Sequence, residues 1–271
     1  MSPLRVIVDG PRDPQLNMAI DEAIARARTR VDYDTLRLYM WLPSGVSLGR
    51  GQDALKSVNI EAIGRLGFKL VRRPTGGAAL LHPQEGEVTY SVVLSSGHEL
   101  YALDVSSSAA RIAWGVALAA RRLGLEAGVR GLGEPGSSNY CYVNPGSSDV
   151  LVGGRKVSGS AQRRSWGALL QHGTLLLSYD PVVFTSVINV GGPEIVRAGD
   201  VVSGLRDLIG DIPLSSIIEA LIEGFMEALG YRDTFKSSLS AEELSLALEL
   251  YKVKYSRDEW NIWGAVEEKW K

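Results

Sequence analysis

The chain has 271 residues, a formal net charge of −2, 45% hydrophobic residues, 22% charged residues and a single cysteine. This composition is typical of a globular protein with a sizeable core, and it excludes an overall basic surface for nucleic acid, an internal disulfide and a cysteine-rich zinc site. The N-terminus lacks the pattern of a signal peptide and no apolar run reaches the ~20 residues that cross a bilayer, so we expect a cytoplasmic protein without a membrane or nucleic-acid partner.

The first half of the chain alternates strand-like and helix-like patterns. Strands are indicated by short apolar runs between turn residues, and helices by apolar residues that recur at helical spacing. In chain order the sequence predicts a strand at 4–8, a helix from Pro14, strands at 36–41 and 46–49, a helix at 60–66, strands at 69–73 and 87–94, and a helix at 106–123.

The second half opens with a loop over 131–148 that is rich in Gly, Ser, Asn and Pro and is long enough to be functional. Mixed strands with flanking helices indicate an α+β fold with a mixed, largely antiparallel sheet. We expect one domain over 1–271 with a helical C-terminal segment from about 212 to 271. After the loop the sequence predicts a hairpin of strands 149–152 and 155–162, a strand at 168–177, a helix at 215–229, a strand-like segment at 231–234 and a helix at 241–255.

Two arginines and two glycines follow the predicted strand at 69–73, in the segment RRPTGGAALLH over 72–82. Adjacent glycines let backbone N–H groups approach an anion, and Arg72 and Arg73 add donors for a phosphate or a carboxylate. The segment has neither the Gly-Lys-Ser/Thr of a Walker loop nor a dinucleotide fingerprint. The alternative is a glycine turn with two solvated arginines.

The predicted hairpin carries Lys156, which follows Cys141 by 15 residues. A strand, a glycine turn and a return strand can bring this lysine and the thiol to one site. There the lysine would bind a carboxylate, a phosphate or a thioester carbonyl, and its charge would favour the nucleophilic thiolate. Gly159, Ser160 and Ala161 leave room for a ligand. The alternatives are a solvated strand lysine and a cysteine buried as a small hydrophobic residue.

Two of the three histidines, His82 and His172, lie in or near these segments, and Asp149 begins the hairpin. No metal-site spacing of Cys, His and Asp accompanies them, so we expect no metal ligands here and favour packing and hydrogen bonding as their roles. Asp149 either helps to place a metal–nucleotide complex or simply begins its strand.

Several segments together resemble the lipoate–protein ligase and octanoyltransferase family, which shares its fold with biotin–protein ligases. By this resemblance the fold is a biotin/lipoate ligase-like catalytic domain. The substrate is a medium-length acyl chain, lipoate or octanoate, which is delivered to a lysine of a lipoyl domain. The similar segments cover almost the whole chain and lie at 16–23, 41–52, 72–82, 88–91, 149–162, 171–173 and 254–261.

The resemblance also implies the site residues. Lys156 is similar to the family lysine that contacts the acyl carbonyl and the activating group, and Cys141 to the nucleophile of one octanoyltransferase group. The other residues similar to the substrate and nucleotide site are Arg72, Arg73, Thr75, Gly76, Gly77, Ala78, His82, Asp149, Gly159, Ser160, Ala161 and His172.

Two activities are compatible with the resemblance. A ligase activates lipoate with ATP and magnesium, whereas an octanoyltransferase takes octanoyl from acyl carrier protein through a cysteine thioester and needs no cofactor. Asp149 resembles the ligases, and Ala78 departs from the third glycine of many ligases. We predict an ATP-dependent lipoate–protein ligase, with an octanoyltransferase that forms a Cys141 thioester as the alternative.

Either enzyme would act on lipoyl domains of 2-oxoacid dehydrogenase complexes or on the glycine cleavage H protein. A ligase that consists of the catalytic domain alone would also need a separate accessory chain. A non-catalytic module that binds an acyl chain or a lipoyl domain is a further alternative, although a pure binder has less need of Lys156 and the paired arginines. Biotin ligation is another alternative within the same fold.

Overall fold

The computed structural model of the chain describes residues 2–132, 146–189 and 201–270. Within these ranges the chain forms twelve strands and ten α-helices. The strands are β1 Leu4–Arg12, β2 Thr35–Trp41, β3 Gly45–Leu48, β4 Lys69–Arg72, β5 Leu80–His82, β6 Glu87–Ser95, β7 Ala127–Val129, β8 Val150–Val152, β9 Arg155–Ser158, β10 Ser160–Ser165, β11 Ala168–Leu176 and β12 Thr234–Lys236. The helices are α1 Pro14–Ala27, α2 Ala54–Ser57, α3 Ile60–Arg65, α4 Glu99–Ala102, α5 Val105–Arg122, α6 Pro181–Val187, α7 Leu205–Ile209, α8 Leu214–Leu229, α9 Ala241–Leu250 and α10 Asp258–Asn261.

The strands form one six-stranded sheet and two three-stranded sheets. The large sheet has the order β10-β11-β6-β2-β1-β12, and it is antiparallel from β10 to β2 and parallel from β2 to β12. The small sheets have the orders β4-β3-β5 and β7-β8-β9. The predicted α+β class with a mixed, largely antiparallel sheet flanked by helices is confirmed.

Helices cover both faces of the large sheet. Side chains of successive strand residues point to opposite faces, so Leu36 and Leu38 join a core with α5 and α8, whereas Tyr39 joins a core with α1 and α9. Glycines allow α5 and α8 to approach closely, because a Cβ on Gly224 would lie 2.3 Å from the Gly115 carbonyl oxygen. The large sheet is therefore buried on both sides, and polar residues on its strands need partners.

The predicted return strand over 155–162 is two strands. It breaks at Gly159, where β9 leaves the β7-β8-β9 sheet and β10 enters the large sheet beside β11. The Gly159 carbonyl accepts a hydrogen bond from the Thr174 N–H at 3.0 Å, which anchors the bend to β11. The single-strand prediction was wrong because a run of suitable residues does not reveal which neighbour each part pairs with.

Other boundaries also differ from the prediction. Strands β5 and β7 were not predicted, and the strand expected at 231–234 lies three residues later, at β12. The helix expected over 241–255 ends at Leu250 and continues as a wider turn over Tyr251–Tyr255, which buries Lys254 against Glu22. Among the described residues, no helix is both long and apolar enough to cross a membrane.

Candidate active site

A cleft of about 1540 Å³ opens between the loop that follows β4 and the bend between β9 and β10. Its interior is largely apolar, and its polar lining residues include Lys156, Asp149, His82 and His172. Such a shape fits a ligand with an apolar tail and one polar head. Apolar side chains of the cleft include Met18, Trp41, Ala79, Leu81 and Leu176.

Lys156 and Asp149 meet at the edge of the cleft. The Lys156 Nζ lies 2.8 Å from the Asp149 Oδ1, and the exposed fractions of the two side chains are 25% and 4%. The other carboxylate oxygen of Asp149 accepts the Gly146 N–H at 3.2 Å. Because Asp149 directly precedes β8 and β9 carries Lys156, the hairpin itself sets the position of the ion pair. We call residues 149–160 the lysine hairpin.

Two glycines allow close packing at the bend beside Lys156. A Cβ on Gly159 would lie 3.0 Å from Lys156 Cε and 3.1 Å from Lys156 Nζ. A Cβ on Gly173 of β11 would lie 2.6 Å from both the Gly159 carbonyl oxygen and the Tyr90 hydroxyl oxygen. Burial raises the pKa of Tyr90 to about 12, so this hydroxyl is neutral at pH 7. The bend at Gly159 thus depends on small residues in two adjacent strands.

The loop over residues 72–79, which we call the glycine loop, is held from inside by Arg73. The Arg73 side chain donates to the carbonyl oxygens of Gly76, Ala78 and Ser47, and to the Ser47 hydroxyl, at distances of 2.7–3.3 Å. Arg73 is 7% exposed. Burial lowers its pKa to about 10, which leaves it charged at pH 7.

Arg72 joins the glycine loop to the C-terminal part of the chain. Its guanidinium donates to the carbonyl oxygens of Gly49, Arg50 and Gln52 and, on the other side, to those of Trp260 and Ile262. Its backbone N–H donates to the Asn261 side chain at 2.9 Å. Arg72 therefore holds three segments together by hydrogen bonds to backbone oxygens.

His172 links the glycine loop to helix α1. The Thr75 hydroxyl lies 2.7 Å from His172 Nε2, and Asp21 Oδ2 lies 3.1 Å from His172 Nδ1. Burial lowers the pKa of His172 more than the nearby Asp21 raises it, so the ring is neutral at pH 7. Asp21 can only accept, which places the proton on Nδ1 and makes Thr75 the donor to Nε2. Asp21 also binds Arg37 and the Tyr39 hydroxyl.

His82 is the centre of a second chain of hydrogen bonds. Its Nε2 lies 2.8 Å from the Ser47 hydroxyl and its Nδ1 lies 2.8 Å from Glu87 Oε1. The ring stacks on Trp41 with 3.9 Å between centroids. Since Ser47 also binds Arg73, this chain connects the floor of the cleft to the glycine loop.

The structure brings most of the predicted site residues to this cleft. Cys141 lies outside the described residues. Sequence reasoning missed Ser47, Asp21 and Glu87, which contact the two histidines and are buried. Buried acidic residues at 21 and 87 in otherwise apolar segments were the available signal. Predicted residues that line the cleft are Arg73, Gly77, Ala78, His82, Asp149, Lys156, Gly159, Ser160, Ala161 and His172; Arg72, Thr75 and Gly76 support the loop from behind or beside it.

Comparison with known proteins shows the family of the chain. The model of the lipoyl protein ligase A/B catalytic domain matches residues 13–226. Among curated relatives, octanoyltransferase LipM of Kyrpidia tusciae is 40% identical, over 96% of this chain and 99% of that protein. Octanoyltransferase LipM of Brevibacillus brevis is 35% identical, over 97% of this chain and 99% of that protein.

Solved structures with a similar fold include lipoate–protein ligases. The chain of a bipartite lipoate protein ligase from Thermoplasma acidophilum aligns with a TM-score of 0.83, 29% identity and 99% coverage of both chains. A lipoate-protein ligase A bound with ATP aligns with a TM-score of 0.82 and 30% identity over 96% of this chain and 98% of that one.

The prediction of an ATP-dependent ligase as the main activity was wrong. It is overturned by the curated relatives, which are named octanoyltransferases and match over nearly their full length. Asp149, on which that prediction leaned, binds Lys156 in this structure and so has a role that needs no nucleotide. By its sequence and its fold, the chain belongs to the lipoyl protein ligase A/B catalytic domain family.

Proposed function

We propose that this protein is an octanoyltransferase that moves an octanoyl group from acyl carrier protein to a lysine of a lipoyl domain. The observation that carries the proposal is the full-length similarity to octanoyltransferase LipM, at 40% identity. The cleft supports it, because an apolar interior ends at a lysine that is held by one carboxylate. An octanoyl chain would occupy the interior with its thioester carbonyl near Lys156.

The proposed reaction has two steps. The Cys141 thiolate attacks the thioester carbon and forms a new C–S bond, the C–S bond to the carrier breaks, and the departing carrier thiolate takes a proton from Lys156. The amine of the acceptor lysine then attacks the octanoyl-cysteine, an amide forms with loss of the amine proton, and the Cys141 thiolate is restored. The assignment of Cys141 rests on the family resemblance of the sequence, since Cys141 lies outside the described residues.

Lys156 has the central role in this proposal. Its ammonium group is partly exposed and held by Asp149, so it can stabilise a thiolate beside it and exchange protons with the leaving thiol and the incoming amine. The residues of the glycine loop, His82 and His172 would shape the acyl site around the carbonyl. Gly159, Ser160 and Ala161 would leave room for the acyl carbonyl beside Lys156.

The proposal extends to partners and setting. Acyl carrier protein is the donor, and lipoyl domains of 2-oxoacid dehydrogenase complexes or the glycine cleavage H protein are the acceptors. The transfer uses no cofactor, because the thioester is already activated. A single catalytic domain over 1–271 and a cytoplasmic location remain predictions that belong to this proposal.

The test follows the mass of a lipoyl domain with the purified protein under two conditions. One reaction contains octanoyl carrier protein without ATP, and the other contains lipoate, ATP and magnesium. Each is run with the wild type and with Cys141→Ala. We expect the acceptor to gain one octanoyl group without ATP, and we expect Cys141→Ala to abolish this gain and the octanoyl-enzyme adduct.

Two outcomes would contradict the proposal. A lipoyl gain that needs ATP, with no octanoyl transfer, would show a different activity. Octanoyl transfer that survives Cys141→Ala would leave the activity in place but remove the cysteine step.

A further inference from the structure

Arg73 orients two peptide groups of the glycine loop. Its Nε and Nη2 donate to the Gly76 carbonyl oxygen at 3.1 and 2.7 Å, and Nη2 donates to the Ala78 carbonyl oxygen at 2.8 Å. In a planar trans peptide the N–H of the next residue points opposite to the carbonyl. The N–H groups of Gly77 and Ala79 therefore point away from the guanidinium.

The side of the loop opposite Arg73 is the open side. Arg73 lines the cleft with only its 7% exposed part, whereas residues 76–78 are exposed and Gly77, Ala78 and Ala79 also line the cleft. Ala79 directly precedes β5, which is an edge strand. Within the described parts of the chain, neither the Gly77 nor the Ala79 N–H donates to a protein acceptor. Two backbone N–H donors that lack a protein acceptor at the wall of a cleft can bind a negative oxygen.

We infer that the Gly77 and Ala79 N–H groups bind the oxyanion that forms on the acyl carbonyl oxygen during transfer, and that Arg73 acts as the positioning residue that aims them. This inference rests on the proposed acyl transfer and adds the group that stabilises its charge. The Arg73 guanidinium contributes through the peptide groups that it holds, since its five N–H donors all have protein acceptors.

The oxyanion arises in both steps of the transfer. When a thiolate or an amine attacks the carbonyl carbon, the new bond takes two electrons from the nucleophile and the carbonyl π pair moves to the oxygen. When the tetrahedral intermediate collapses, that pair re-forms the C=O bond and the thiol sulfur leaves with the electrons of the broken C–S bond. Preorganised N–H donors stabilise the charged oxygen more than the carbonyl oxygen of the substrate, so they raise kcat more than they lower KM.

The first test removes one donor without changing the side chain. Lactic acid is inserted in place of Ala79 by cell-free suppression, which replaces the amide N–H by an ester oxygen, and alanine inserted by the same route is the control. We expect kcat for octanoyl transfer to fall by about 10²–10³-fold, the usual loss for one oxyanion donor, with KM changed by less than about threefold. A kcat within about threefold of the control would overturn the inference.

The second test separates position from charge. Arg73→Lys keeps the positive charge but cannot hold both carbonyls, so we expect it to lose as much kcat as Arg73→Gln, within about threefold. An Arg73→Lys enzyme that retains more than about a third of the wild-type kcat would show that charge alone matters and that Arg73 is not a positioning residue. If the wild type transfers no octanoyl group, the proposed function fails first; if the wild type is active and the ester variant is equally active, only the oxyanion site fails.

Discussion

The lysine hairpin and the glycine loop face each other across the cleft, and they use positive charge in opposite ways. In the lysine hairpin, Lys156 directs its ammonium group toward the cleft edge, where Asp149 holds it and a quarter of its side chain is exposed. In the glycine loop, Arg72 and Arg73 direct their guanidinium groups inward to backbone carbonyl oxygens. One set of positively charged residues in a sequence can therefore contain one side chain with a chemical role and two with structural roles.

The largest effect should come from removing the cleft-facing charge. We expect Lys156→Met to lower kcat for octanoyl transfer by about 10³-fold, in the range of lost acid–base catalysis. Lys56→Met is the matched control, because Lys56 also lies at the cleft but its side chain is 84% exposed. Rates are followed by the mass of the acceptor domain. If Lys156→Met keeps more than a tenth of the wild-type kcat, Lys156 does not provide acid–base catalysis of the transfer.

Arg72, whose guanidinium group points inward, should affect the stability of the fold rather than the rate of transfer. Arg72→Met leaves backbone carbonyl oxygens of two segments, 49–52 and 260–262, without their donor, and we expect the free energy of unfolding to fall by about 3 kcal/mol. Urea unfolding measures this change, with the exposed Arg65→Met as control. An Arg72→Met protein as stable as the control would mean that these hydrogen bonds are not what joins the C-terminal part to the glycine loop.

Two glycine substitutions test whether the backbone shape of the glycine loop matters for activity. Gly77 has a φ of +92°, and a Cβ there would lie 2.8 Å from Arg73 Nη2, whereas a Cβ on Gly76 meets open space. Strain of about 1–2 kcal/mol should make Gly77→Ala roughly tenfold slower in kcat, while Gly76→Ala should match the wild type. Steady-state kinetics of the two variants compare them directly. Equal rates would mean that the shape of the loop at Gly77 is not needed.

The smallest effect concerns the pH dependence of stability through His172. The pKa of His172 is lowered in the folded protein, chiefly by burial. Above about pH 6.5 the ring is neutral in the folded and in the unfolded protein. As the pH falls below that value, the ring binds a proton in the unfolded chain but stays neutral in the folded protein. The wild type should therefore lose up to about 1.4 kcal/mol per pH unit on acidification, in addition to changes from other groups.

The His172→Gln variant lacks the titrating ring and is compared with the wild type. The free energy of unfolding is measured for both proteins between pH 7 and pH 5.5. We expect the free energy of unfolding to depend less on pH for His172→Gln, because glutamine does not titrate. His82 and His98 are present in both proteins, so their contributions cancel in the comparison. Identical slopes would show that burial does not keep the His172 ring neutral.

Much of the fold was predictable from local pattern, and its errors have one cause. The amphipathic helices at 14–27 and 105–122 and the apolar strands at 87–95 and 168–176 were predicted nearly to their ends, because spacing of apolar residues reports a buried face. The break at Gly159 was missed because it depends on Thr174, Gly173 and Tyr90, all distant in the sequence.

The candidate site divides in the same way. Lys156, the paired arginines and the glycines were identifiable as residue types that seldom occur together in a plain strand or turn. Asp21 was missed as the partner of His172 because 151 residues separate them, and Glu87 was missed as the partner of His82 because the turn between β5 and β6 brings the two together. The sequence also could not show whether each charged side chain points into the cleft or into the protein, because the acceptors of Arg72 include backbone oxygens about 190 residues away.

Most of the elements, the family resemblance and the residues that can carry charge were readable from the sequence, because composition and spacing act within one segment of chain. Only the tertiary structure decided what each charge does. Asp149 could be paired with Lys156 only once β8 and β9 formed a hairpin, and Arg73 could be placed inside its loop only once Gly76 and Ala78 curled around it. Hydrogen bonds and ion pairs depend on distance in space, and folding sets that distance between residues that the sequence keeps apart.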